Sequence, residues 1–194
     1  MAVRKFLISV AIGALLLLSV APGVSGQAER IRWDIVHTDF AANTQSAGGM
    51  AFAHANNGSL IELTGSGTFV EPASGGPSSA VTGRGNWDTF DLLGTTPTGS
   101  GTYQVIGLVR WQAAGGTPPS TIDLIGGGVR TGGLAVLRIA YSDGDEGILV
   151  VSCHLGLTPN TIFEGVTASK GLADYWNRVA PVPGVDGNRT IFHR

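Results

Sequence analysis

The sequence repeats one short pattern three times, as Thr64-Gly65-Ser66-Gly67-Thr68-Phe69, Thr82-Gly83-Arg84-Gly85-Asn86-Trp87 and Thr98-Gly99-Ser100-Gly101-Thr102-Tyr103. Each copy has two glycines flanking one residue and ends on an aromatic residue, and the copies start 18 and 16 residues apart. Glycines of this kind, with aromatic residues packed beside them, curve a sheet toward closure. The repeat therefore predicts successive strands of a curved β-sheet. A ring of aromatic side chains lining one mouth of a barrel is the functional alternative, and no copy continues as a phosphate-binding motif.

Strand periodicity extends on both sides of the repeat. Asn56-Asn57-Gly58 and Ser142-Asp143-Gly144-Asp145-Glu146 each predict a hairpin turn between two strands. About eight strands at short spacing predict an all-β fold with little helix, an antiparallel barrel or sandwich. The candidate strands are residues 31–38, 49–55, 59–69, 80–90, 102–112, 134–141, 147–155 and 161–168.

Glycine and proline define the predicted loops. The 113–133 segment is long for a loop in a compact domain, so it is either functional or contains a short element at 121–125. The 180–187 segment is rich in proline and glycine and is expected to run over the surface. Residues 169–178 are the one candidate helix, weakened by Gly171.

The N-terminal segment is typical of a secretory signal peptide. Arg4 and Lys5 precede an apolar run at 6–20, and small residues around Ser25 suit a signal peptidase. The run is shorter than the roughly 20 residues that span a bilayer. We therefore expect a signal peptide at 1–26 and a single all-β domain at 27–194, secreted to an extracellular or periplasmic space and not held in a membrane.

Composition excludes several function classes. Without Arg4 and Lys5, ten basic residues face fourteen acidic ones, and the absence of a basic stripe argues against a nucleic-acid partner. Cys153 is the only cysteine, so no internal disulfide can form. Its strand position predicts a buried, inert thiol. No motif calls for a cofactor, and oligomeric state is not indicated.

Four charged residues interrupt apolar strand segments. Arg110 and Arg138 stand in the two most apolar strands, and Glu62 and Glu164 are comparable carboxylates. A buried guanidinium requires a partner because an unpaired buried charge is very costly. The four side chains could therefore line a polar pocket that orients a ligand, or all four could face solvent.

Three histidines also lie in predicted strands. His37, His54 and His154 could converge on a metal ion, but their wide spacing favours isolated roles, and no metal site is predicted. His154 joins Arg110, Arg138, Glu62 and Glu164 as a candidate ligand-binding residue. Trp111 and Tyr141 lie beside the arginine-bearing segments and complete the predicted site.

Three functions remain open. The first is a non-enzymatic domain that binds a small apolar or amphipathic ligand, because many strands have an apolar face and no catalytic motif is present. The second is a cofactor-free enzyme, such as a cyclase, isomerase or lyase, using the strand Arg, Glu and His residues. The third is a structural or surface-interaction domain without a pocket.

The signal-peptide interpretation predicts the N-terminus of the exported protein. Cleavage after Gly26 should leave Gln27 as the first residue, which intact-mass measurement and N-terminal sequencing of exported protein would show. An exported chain that still carries Leu15 to Leu18 would contradict this and indicate a membrane-anchored protein.

Overall fold

The computed structural model describes residues 29–72 and 75–194, and the predicted signal segment at 1–26 lies outside them. The described residues form fourteen β-strands and no helix, which confirms the all-β prediction. The strands are β1 (Arg30–Asp39), β2 (Thr44–Ala47), β3 (Ala51–His54), β4 (Leu60–Leu63), β5 (Ser66–Val70), β6 (Val81–Phe90), β7 (Pro97–Gly115), β8 (Ile122–Asp123), β9 (Arg130–Tyr141), β10 (Glu146–Cys153), β11 (Gly165–Lys170), β12 (Ala173–Tyr175), β13 (Asn177–Arg178) and β14 (Thr190–His193).

Six strands close into an antiparallel barrel. The ring runs β1–β5–β6–β7–β9–β14 and returns to β1. Its closing ladder pairs β1 with β14, where Arg32 faces His193 and Ile35 faces Thr190. A closed ring leaves no unpaired strand edge within the barrel.

Two long strands extend the barrel into a second layer because each shares one edge between two partners. The first half of β6 pairs with β5, whereas its second half, from Trp87 to Phe90, pairs with β4. In the same way β9 pairs with β14 at Thr131 and with β10 from Gly133 onward. The extensions β4–β3–β13 and β10–β11–β12 therefore flank the barrel.

Aromatic side chains fill the interior, and glycines make room for them. The aromatic residues that end the three repeats, Phe69, Trp87 and Tyr103, are at most 4% exposed. A Cβ atom on Gly83 would lie 3.0 Å from the Trp33 ring, and one on Gly101 would lie 2.9 Å from Nε1 of Trp87. The repeat thus supports a curved, packed wall. The alternative, an aromatic ring at an open mouth, is wrong because these side chains are buried in the core.

The structure corrects several predicted elements. Residues 59–69 form two strands, β4 and β5, which pair with different halves of β6. The candidate helix at 169–178 is instead the end of β11 followed by β12 and β13, and Gly171 takes a φ of 55° in the turn. The hidden element expected at 121–125 is β8, and both predicted hairpin turns are present.

Lys170 links β11 to the turn between β9 and β10. Its ammonium contacts the carboxylates of Asp143 and Asp145 and lies 4.3 Å from the centre of the Trp87 ring and 5.1 Å from that of Tyr141. The Lys170 side chain is only 10% exposed. A cation held between two carboxylates and two aromatic faces is stabilised by both ion pairing and cation–π attraction.

Replacing this cation should destabilise the fold. We expect Lys170→Met to lower the free energy of unfolding by about 2 kcal/mol, because ion pairs and cation–π contacts are lost together. The control is Arg138→Met, since Arg138 is largely exposed and bonds only Glu146 at 3.3 Å. That change should cost under about 0.5 kcal/mol in urea denaturation. Equal losses in the two variants would contradict the role assigned to Lys170.

Candidate functional site

The two predicted strand arginines lie on the outer face and do not meet. Arg110 is exposed and bonds Gln112 at 3.4 Å, and Arg138 bonds Glu146 across the β9–β10 ladder. Glu62 is half-buried on β4, and its cross-strand neighbour is Asp88. Burial, and secondly the like charge of Asp88, raise the pKa of Glu62. The structure therefore does not form the predicted pocket of two arginines and two glutamates.

The two predicted aromatic residues belong to the core. Trp111 is 4% exposed, and its Nε1 donates to Oε1 of Glu71 at 2.8 Å. Tyr141 is equally buried and donates its hydroxyl to the Ser169 carbonyl at 2.9 Å. Burial raises the pKa of the Tyr141 hydroxyl well above its ordinary value. Both side chains support packing and do not line the cleft described below.

The three strand histidines lie in different environments and do not form one site. His37 is exposed and contacts Asp186, His54 is half-buried beside the Gly58 carbonyl, and His154 lines a cleft. His37 does not point inward because β1 leaves the barrel ring after Ile35 and changes its neighbour from β14 to β2. Within the described residues no three His, Cys, Asp or Glu side chains are grouped to hold a metal ion.

A cleft of about 550 Å³, here called the Glu164 cleft, opens at one end of the barrel. It lies where β1 has passed the ring, β10 has ended and β14 begins, so strand ends and loops supply its walls. The lining residues are Thr38, Phe40, Gln45, Thr117, Pro119, Thr121, His154, Leu155, Gly156, Glu164, Pro181, Arg189, Thr190 and Ile191. Of the predicted site residues, Glu164 and His154 are thus brought together.

Glu164 joins the backbones of two strands that diverge from β9. One carboxylate oxygen accepts from the N–H of His154 at 2.6 Å, and the other accepts from the N–H of Thr190 at 2.6 Å. The Thr190 hydroxyl donates to the Ser152 carbonyl and closes the same gap. Burial raises the pKa of Glu164 to about 7, although these N–H donors and the charge of Arg189 oppose the rise. The carboxyl group therefore changes charge near neutral pH.

His154 and Arg189 add polar atoms with fixed roles. Nδ1 of His154 lies 2.7 Å from the Ile162 carbonyl, which can only accept, so Nδ1 carries the proton and Nε2 is an acceptor in the neutral ring. The Arg189 guanidinium donates to the carbonyls of Val182, Val185 and Gly187. Its Cζ atom also lies 4.9 Å from the centre of the Phe40 ring. Arg189 thereby folds the 180–187 segment against the cleft.

The opposite wall is a loop that a second polar network holds in place. Oε1 of Gln45 accepts from the Thr121 hydroxyl at 3.0 Å and from Arg130 at 3.3 Å. Asp123 in β8 contacts Nε2 of the fully buried His193 at 2.7 Å, and this bond lowers the pKa of Asp123 against the opposing effect of burial. The predicted loop at 113–133 is shorter in the structure, because its ends belong to β7 and β9, and the segment between these strands is held to β2 and β14.

Several cleft residues carry no sequence signal that marks them as functional. Phe40 and Arg189 follow no motif, and Thr38 is an ordinary strand threonine. The Thr38 side chain is nevertheless buried, and its hydroxyl has no hydrogen-bond partner within the described residues. A lone hydroxyl of this kind is uncommon in a folded protein. Only tertiary structure shows that Thr38 lines the same cleft as Glu164.

Comparison with known proteins gives no relative. No protein-family model matches the chain, and no curated protein and no solved structure matches it significantly. Among the described residues, no helix has the length and apolar character needed to cross a membrane. The geometry of the cleft is therefore the basis for inferring a function.

Glu164 should make stability depend on pH. Its pKa in the fold, about 7, exceeds the ordinary 4.5, so the neutral acid is the form that the fold favours. That contribution is complete below pH 4.5 and is lost as the pH rises through 7, on the order of 3 kcal/mol in total. Urea denaturation across this range should show the decline in the wild type, and Glu164→Gln should flatten it.

The matched control is Glu146→Gln, which removes an exposed carboxylate. The decline between pH 4.5 and 7 should persist in that variant. If the decline also persists in Glu164→Gln, another group causes it and the assignment to Glu164 is wrong.

Proposed function

We propose that the Glu164 cleft binds a small amphipathic ligand without transforming it. The observation that carries this proposal is the convergence of His154, Glu164 and Arg189 with apolar side chains in one open space of about 550 Å³. Sites for small molecules commonly have this size, a mostly apolar lining and a few convergent polar groups.

The apolar part of the ligand would lie against one side of the cleft. Phe40 is 44% exposed, although large aromatic side chains gain most by burial, and Leu155 and Pro181 line the same space. Covering this surface would remove apolar area from water at about 25 cal/mol per Å². An apolar segment of the ligand would therefore add to its affinity for the cleft.

The polar part of the ligand would meet groups whose hydrogen-bonding capacity is only partly used within the protein. Nε2 of neutral His154 can accept a hydrogen bond, and the three carbonyls that hold Arg189 engage three of its five N–H bonds. Thr38 lines the same cleft, but its unpartnered hydroxyl is buried and is not itself exposed to a ligand. A ligand with both a donor and an acceptor at its polar end fits this set best.

An acid–base enzyme is the second candidate, and one observation favours it. A carboxyl group with a pKa of about 7 next to a histidine suits proton transfer at neutral pH. Against it, both oxygens of Glu164 already accept short hydrogen bonds from backbone N–H groups, as expected for a structural brace. Recovering a bound ligand chemically unchanged supports binding. Conversion that Glu164→Gln abolishes would support the enzyme.

A fluorescence titration with anilinonaphthalene sulfonate, an amphipathic probe, tests the binding proposal. The probe should bind saturably, and Phe40→Ala should weaken binding about tenfold because the exposed ring forms one wall. The control is Leu172→Ala, which removes a fully exposed apolar side chain elsewhere. It should change affinity less than twofold.

Two results would overturn the proposal. One is the absence of saturable binding at probe concentrations up to the millimolar range, which corresponds to roughly 4 kcal/mol of affinity. The other is equal weakening by Phe40→Ala and Leu172→Ala, which would show that the probe adheres to exposed apolar groups in general.

A further inference from the structure

A second concave surface lies on the outer wall of the barrel, away from the Glu164 cleft. It consists of two adjoining depressions of about 580 and 540 Å³ that share Ser66, Arg84 and Gln104. We call this surface the Arg84 groove. Arg84 stands at the junction, because the ladders place Ser66 of β5 on one side of it and Gln104 of β7 on the other.

The lining of the groove is polar and carries one sign of charge. Its charged members are Arg32 and Arg84, and among the residues that the structure describes no carboxylate side chain lines either depression. Asp34 neutralises Arg32 through bonds of 2.7 and 2.8 Å. Arg84 takes part in none of the ion pairs formed by the described residues. An unneutralised guanidinium is therefore exposed at the centre of the groove.

Hydroxyl and amide side chains surround this guanidinium in cross-strand rows. Ser66, Arg84 and Gln104 form one row, and Thr68 and Thr82 form the next, with their hydroxyl oxygens 2.9 Å apart. Side chains directly opposite on neighbouring strands lie about 5 Å apart. Rows at this spacing present many donors and acceptors on one surface. The aromatic residue in the lining, Tyr103, is only 1% exposed.

We propose that the Arg84 groove binds an acidic saccharide, with the Arg84 guanidinium pairing the acid group and the flanking hydroxyl and amide groups bonding the sugar hydroxyls. The planar guanidinium matches a carboxylate or sulfate in two-point geometry. The rows of Ser, Thr and Gln match a ligand that has many hydroxyl groups. The site is separate from the Glu164 cleft, so either proposal can fail alone.

Calorimetric titration of the folded chain at low ionic strength tests the assignment. The probes are tetragalacturonate, its methyl ester and sodium acetate, because the ester removes only the charge and acetate supplies only the carboxylate. Tetragalacturonate should bind, and the ester and acetate should each bind at least about tenfold more weakly. Equal affinity for the ester would overturn the acid component of the assignment, and equal affinity for acetate would overturn the saccharide component.

Variants locate the binding on the protein. Arg84→Gln should weaken tetragalacturonate binding about tenfold, whereas Arg110→Gln should change it less than twofold. Both arginines are exposed strand residues on the barrel, so the two variants lose the same charge and should melt like the wild type. Equal weakening would show attraction to net charge instead of a site, and no binding of tetragalacturonate to the wild type would end the proposal.

Discussion

The packing of large aromatic rings against glycine inside a closed ring of strands is the constraint on which the rest of the structure depends. Six strands enclose little space, and Trp33, Phe69, Tyr103 and Trp111 occupy it. They fit because facing positions carry no side chain, as at Gly83, where a Cβ would lie 3.0 Å from Trp33. With the interior filled in this way, any ligand must be bound at the barrel ends or on its outer wall.

The second feature that organises the fold is that two strands, β6 and β9, each pair with two different strands along the same edge. Because β6 and β9 each change partner along one edge, the wall opens where the partners separate. Backbone N–H groups at such an opening lose their usual ladder partners and need other acceptors. Glu164 supplies two oxygens to the opening beside β9, which explains why a carboxyl group is kept at this half-buried position. The cleft is the outer side of that same opening.

Sequence reasoning recovered the parts of this molecule that depend on local pattern. Alternation located the long strands, and glycine with asparagine or aspartate located the two hairpin turns. It missed β14 because all four residues are buried, so no alternation is visible, and it missed β13 because that strand has only two residues. The equally short β8 was anticipated only as a short element inside a predicted loop.

The candidate site was recovered only in part for a comparable reason. Glu164 and His154 stood out as polar residues in apolar surroundings, and the cleft contains both. Arg110 and Arg138 stood out equally, because an arginine on the outer face of a strand has the same sequence neighbours as a buried one. In the structure both side chains face solvent. The remaining cleft residues are assembled by ladders between distant segments, such as Ile35 with Thr190, which no local pattern reveals.

The closing ladder between β1 and β14 has a consequence for how the chain reaches this state. Arg32 pairs with His193, so the barrel can be completed only by residues from opposite ends of the described sequence. Contacts of such long separation form slowly, since the entropy of closing the loop is lost before the ladder compensates it. Until then β1 and β9 expose free edges that invite pairing between chains. Aggregation between folding chains of this protein is accordingly most favoured before the ladder between β1 and β14 forms.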